Sequence, residues 1–142
     1  MSLIHSDTEA ALLEAGRLSR QLGDRYRHAI EHLIDAGETL ERFTDRAEAL
    51  DEQANRLDEL TRSRDLLPRD ANTELNDLHK IADQISGWLD ADQVRALAAR
   101  FAEDEQCLLN ELETAARDDN LASPLGPMIE SGRKVIGDLR NI

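Results

Sequence analysis

Apolar residues recur along the first half of the chain in alternating steps of four and three: Leu22, Tyr26, Ala29, Leu33, Ala36, Leu40, Phe43, Ala47, Leu50, Ala54 and Leu57. That 3.5-residue repeat is the period of coiled coils and antiparallel helical bundles. Several of these positions are alanine, so a facing helix must approach closely there. Ile30, Ile34 and Leu60 widen the stripe beyond a two-stranded seam and point to a bundle in which each helix has more than one neighbour. Ser6-Asp7-Thr8-Glu9 has the form of a capping box, which predicts a helix beginning at about Asp7.

Three glycines interrupt the pattern, at Gly16, Gly23 and Gly37. An unbroken helix from Asp7 to Leu66 would be roughly 90 Å long at 1.5 Å per residue. A tight turn that preserves phase would leave the same repeat. "IDAGET" is the best turn candidate, with Gly37 in a left-handed position after one helix and Thr39 opening the next. Gly16 and Gly23 lack such surroundings and read as close contact points between helices.

Pro68 stops the repeat, so the helix before it is expected to end near Arg64–Leu66. Asp70 or Asn72 can cap a following helix near 71–89, whose apolar face is Leu75, Leu78, Ala82, Ile85 and Leu89, with Ile81 and Trp88 beside it. The register then changes near Gly87–Asp92. Asp90-Ala91-Asp92-Gln93 offers a fresh cap before Val94, Leu97, Phe101, Leu108, Leu112 and Ala115. "ARDDNLASPLGP" is expected to end that helix, and Met128, Ile129, Val135, Ile136 and Leu139 mark a short last one with Pro127 in its first turn. The prediction is a single domain over residues 1–142: all-α, an up-down antiparallel bundle of four main helices near 7–36, 39–66, 93–118 and 125–141. An extra helix precedes the third.

Composition agrees. Only two valines occur, at Val94 and Val135, and no alternating β-branched run suggests a strand. Aromatic content is 3%, so the core must be built mainly from Leu, Ile and Ala. The net charge of −13 argues against nucleic acid and against anionic membrane surfaces, both of which need a basic stripe. No apolar run approaches the ~20 residues of a membrane span, and no basic start leads into an apolar leader segment. The lone Cys107 rules out an internal disulfide and fits a reducing, cytoplasmic setting.

"GDRYRHAIEHLIDAGETLERFTDRAEALDEQANRLDEL" resembles the first hairpin of bacterial ferritin-like four-helix-bundle proteins, and "RFAEDEQCLLNELETAARDDNLASPLGPMIESGRKVIGDL" resembles the second. The resemblance implies a ferritin-like fold, with uncharacterised and sometimes stress-linked members. It also implies a di-iron site of Glu residues and Glu-x-x-His motifs. The histidines here, His5, His28, His32 and His79, are preceded at three residues by Ser2, Arg25, Ala29 and Asn76, so the motif is absent. An all-carboxylate remnant would have to draw on Glu31, Glu52 and Glu105.

Other chemistry is sparse. His28 and His32 stand four apart, a spacing that can hold a metal, but HAIEH is not HExxH. The pair reads instead as half-exposed bundle histidines. Glu103-Asp104-Glu105 and Asp118-Asp119 read as solvated charge runs, Cys107 as a packing residue and Trp88 as a core anchor. No catalytic, cofactor-binding or metal-binding residue is assigned. The functional expectation is a non-catalytic bundle acting by helix–helix association, as a homodimer or with a protein partner. Two alternatives are a carboxylate metal-binding protein handling iron or oxidants, and an extended hairpin scaffold.

Overall fold

The computed structural model describes residues 6–33, 37–67 and 89–142. Over these residues the protein is four helices: α1 (Asp7–Ile30), α2 (Gly37–Ser63), α3 (Ala91–Ala115) and α4 (Asp119–Arg140), with no strand among the described residues. The expected helix near 71–89, with Trp88, lies outside the described residues apart from Leu89.

Local chemistry accounts for most boundaries. The Ser6 hydroxyl accepts the Glu9 N–H while the Glu9 carboxylate accepts the Ser6 N–H, closing the anticipated capping box. Asp90 and Gln93 do the same for α3. At the end of α2 the Leu66 N–H reaches the Thr61 carbonyl and the Asp65 N–H reaches Arg62, with Asp65 in the left-handed region at φ 58°. This is a Schellman closure in which aspartate occupies the position glycine usually takes.

The first helical stretch is broken. α1 ends at Ile30, six residues earlier than expected, in a turn where His32 N–H bonds to Ala29 and Leu33 N–H to Ile30. Gly37, at φ +40°, then opens α2, so its left-handed conformation begins a helix and does not end one. A sixty-residue rod does not form.

The last helix corrects the sequence reading in the opposite direction. α4 starts at Asp119, capped by the Asp118 carboxylate on the Asn120 N–H, and runs through both Pro124 and Pro127. Each proline removes one bond to the carbonyl four residues back, at Asn120 and Ser123. All four residues are exposed, so water can satisfy those carbonyls.

The main packings are α1 on α2, α1 on α3, and α3 on α4. α1 and α2 run antiparallel, since a Cβ on Gly16 would meet Leu57 and one on Gly23 would meet Leu50. α1 and α3 are antiparallel too: Leu89 donates to the His32 carbonyl, and the Tyr26 hydroxyl reaches Glu105. Only residues 116–118 join α3 to α4, and the two helices pack along each other, so they too are antiparallel, with Gly132 beside Leu109 and Arg133 beside Glu113. The core holds the expected Leu22, Tyr26, Ala29, Phe43, Ala47, Leu50, Ala54 and Leu57, joined by Leu97, Phe101, Leu108, Leu112 and Ala115. Gly16 and Gly23 are buried contact points, as expected.

Candidate functional site

The tyrosine and both phenylalanines of the chain meet at one level of the bundle. Tyr26 of α1 stacks on Phe101 of α3 with ring centres 4.1 Å apart, and Phe43 of α2 meets both rings edge-on at 5.3 Å. Into this apolar cluster the fold brings two opposite charges. Arg46 of α2 grips Glu105 of α3 in a fork: Nε donates to Oε2 at 2.8 Å and Nη2 to Oε1 at 2.7 Å. The Tyr26 hydroxyl donates to the same Oε2 at 2.8 Å. The Glu105 side chain has no exposed surface and that of Arg46 almost none.

The environment fixes the protonation of Tyr26 and Arg46. Burial raises the Tyr26 phenol well above its ordinary range, and the charge and hydrogen bond of Glu105 push it the same way. Burial opposes charge on Arg46, but the hydrogen bonds and charge of Glu105 outweigh it and hold the guanidinium above the usual arginine value. Neither the phenol nor the guanidinium exchanges a proton in the neutral range. Tyr26, Arg46 and Glu105 thus tie three helices together.

A cleft of about 300 Å³ opens beside it, between the start of α2 and the end of α4. Tyr26, Phe43, Val135, Leu139 and Ile142 supply apolar surface, and Arg42, Asp45, Lys134 and Asp138 stand among its charged groups. A second hollow of about 160 Å³ lies between the same helices, lined by Glu52, Gln53, Arg56, Pro127 and Met128. Arg46, Ala49 and Ser131 border both. The α2 and α4 helices thus face each other across a groove.

These positions test the sequence-level candidates. The proposed carboxylate remnant is not assembled: Glu105 is buried against Arg46, whereas the side chains of Glu31 and Glu52 are 72% and 68% exposed. Glu52 pairs with Arg56 along α2. A di-iron centre does not fit this interior, because a fixed guanidinium already holds the buried carboxylate where metal would need it free. The run Glu103-Asp104-Glu105 is not a solvated stretch, since Asp104 and Glu105 are both buried. Cys107, expected to pack, lies exposed on α3. Partial burial and the neighbouring Asp104, Glu103 and Glu111 raise its thiol pKa, which disfavours the nucleophilic thiolate. His28 and His32 are half-buried, as expected, with ring centres 5.1 Å apart.

Sequence reasoning named Glu105 only as a carboxylate remnant and missed Arg46 and the pairing of the two, though a signal existed. Arg46 is three after Phe43 and four before Leu50; Glu105 is four after Phe101 and three before Leu108. Opposite charges at core spacing on two helices mark a buried pair.

No family model, curated protein or solved structure matches the chain.

Proposed function

We propose that the protein is a non-catalytic helical bundle of ferritin-like topology that acts by self-association through its α2/α4 face. The helix order up, down, down, up supports the topology, with α1 beside both α2 and α3. The lone cysteine is in keeping with a cytoplasmic setting. No helix among the described residues is long and apolar enough to cross a membrane.

The groove between α2 and α4 is the observation that carries this reading. It combines apolar walls with a charge balance unlike the rest of the chain. Apart from Arg46, which Glu105 neutralises, three cations (Arg42, Arg56, Lys134) and three anions (Asp45, Glu52, Asp138) line it, in a protein whose net charge is −13. A second acidic copy meets less repulsion on this strip than the net charge of the chain implies. Both signs are present on one patch, so a two-fold pairing can set cation against anion. Occupancy of a groove by a neighbouring helix is a common recognition mode.

Ala49 and Ser131 are exposed and central to the groove, so a large charged residue there blocks association without touching the core. Sedimentation velocity should find a dimer for the wild-type chain. Ala49→Arg should weaken dimerisation by about tenfold or more, equivalent to at least 1.4 kcal/mol, with unchanged helical circular dichroism. A wild-type monomer across the concentration range, or a variant that dimerises as before, rejects the α2/α4 face.

A further inference from the structure

The end of α1 gathers three metal-ligating side chains remote in sequence from the core ion pair. His28, Glu31 and His32 present one ligand atom each, all within 4.8 Å of one another. The His28 Nδ1 lies 4.0 Å from the Glu31 carboxylate, while its Nε2 is enclosed and makes no hydrogen bond. Among the described residues the His28 side chain has no hydrogen-bond partner. Two imidazoles and one carboxylate suit a borderline divalent ion better than magnesium or calcium, which prefer all-oxygen cages.

The local backbone favours the arrangement. α1 ends between His28 and Glu31 in a tightened turn: His32 N–H bonds to the Ala29 carbonyl at 3.0 Å and Leu33 N–H to Ile30 at 3.3 Å. The helix C-terminus carries partial negative charge and so attracts a cation. Nearby Arg27 is already held by Asp24 and Asp51, which blunts its repulsion. The Leu89 N–H donates to the His32 carbonyl at 3.1 Å, tying the turn to the residues that lead into α3.

We propose that His28, Glu31 and His32 bind one divalent transition-metal ion of the zinc class, with water completing the coordination. Ligand atoms on a shared zinc sit about 2.0–2.2 Å from it. Closing on the ion needs small rotations of the half-buried histidine side chains as well as of the exposed Glu31. The site is separate from any di-iron chemistry and does not depend on the α2/α4 association.

The test is titration of the full, untagged chain with Zn²⁺ by calorimetry and with Co²⁺ by visible absorption, in excess Mg²⁺ to mask the acidic surface. One ion per chain is expected, with a cobalt spectrum typical of nitrogen and oxygen donors. His28→Ala and His32→Ala should abolish saturable binding, and Glu31→Gln should weaken it about tenfold or more. His5→Ala should leave it unchanged. Glu31 is exposed, so its variant keeps the fold even if a histidine variant does not. Absence of saturable Zn²⁺ binding, or equal binding by wild-type and Glu31→Gln chains together with retention in a folded His32→Ala chain, overturns the proposal.

Discussion

Arg46 and Glu105 bring opposite charges into a core of aromatic and aliphatic side chains, and only their mutual fork makes that burial tolerable. Removing one partner leaves the other buried and unpaired. Arg46→Met should destabilise the protein by about 3–5 kcal/mol, whereas Arg46→Met combined with Glu105→Leu should recover most of that loss or exceed wild-type stability. Urea unfolding of the four chains in this cycle measures the coupling. Tyr26 adds a pH dependence of known sign. The unfolded phenol loses its proton near pH 10, while burial and Glu105 keep it protonated in the fold to higher pH. Below that range the contribution is fully present. Above it the unfolded state binds fewer protons, so stability falls as pH rises, by about 1.4 kcal/mol per unit. Tyr26→Phe should remove that slope. Because Tyr26 is the only tyrosine, phenolate absorbance should appear only as the protein unfolds. At this scale the sequence was legible for apolar residues and misleading for charged ones. Glu105 sits in an acidic run that resembles a water-facing stretch, and its partner is 59 positions away.

Helix starts were the most readable elements, because a capping box is a local motif that needs no tertiary partner. Both boxes, at Ser6 and Asp90, form as expected. Ends were harder. The heptad repeat of the sequence continues past Ile30 into α2, so the break was visible only through Gly37. α4 starts earlier than its prolines suggested, because their lost bonds fall on the exposed side where nothing in the core objects. Two substitutions at helix ends should act in opposite directions. Gly37→Ala forces an L side chain into φ +40° and should cost about 1–2 kcal/mol. Asp65→Gly relieves the same strain at φ 58° in the Schellman turn and should raise stability by up to about 1 kcal/mol. Thermal unfolding of each single variant gives the sign directly.

At the scale of the whole molecule, the interior and the surface divide the labour. The level at which α1, α2 and α3 meet is closed by aromatic stacking and by the Arg46 fork, which holds the Glu105 carboxylate. The α2/α4 groove is open, mixed in charge and central to the proposed association. The all-helical architecture followed from periodicity alone. The groove did not, because it depends on which helices pack closely on one another, and no single helix records that in its own pattern. Native mass spectrometry of the purified, untagged chain reads assembly and bound ions together. The account predicts a species of twice the chain mass that carries no iron or manganese and takes up zinc when supplied. A monomer, or about two iron or manganese ions retained per chain, would contradict it.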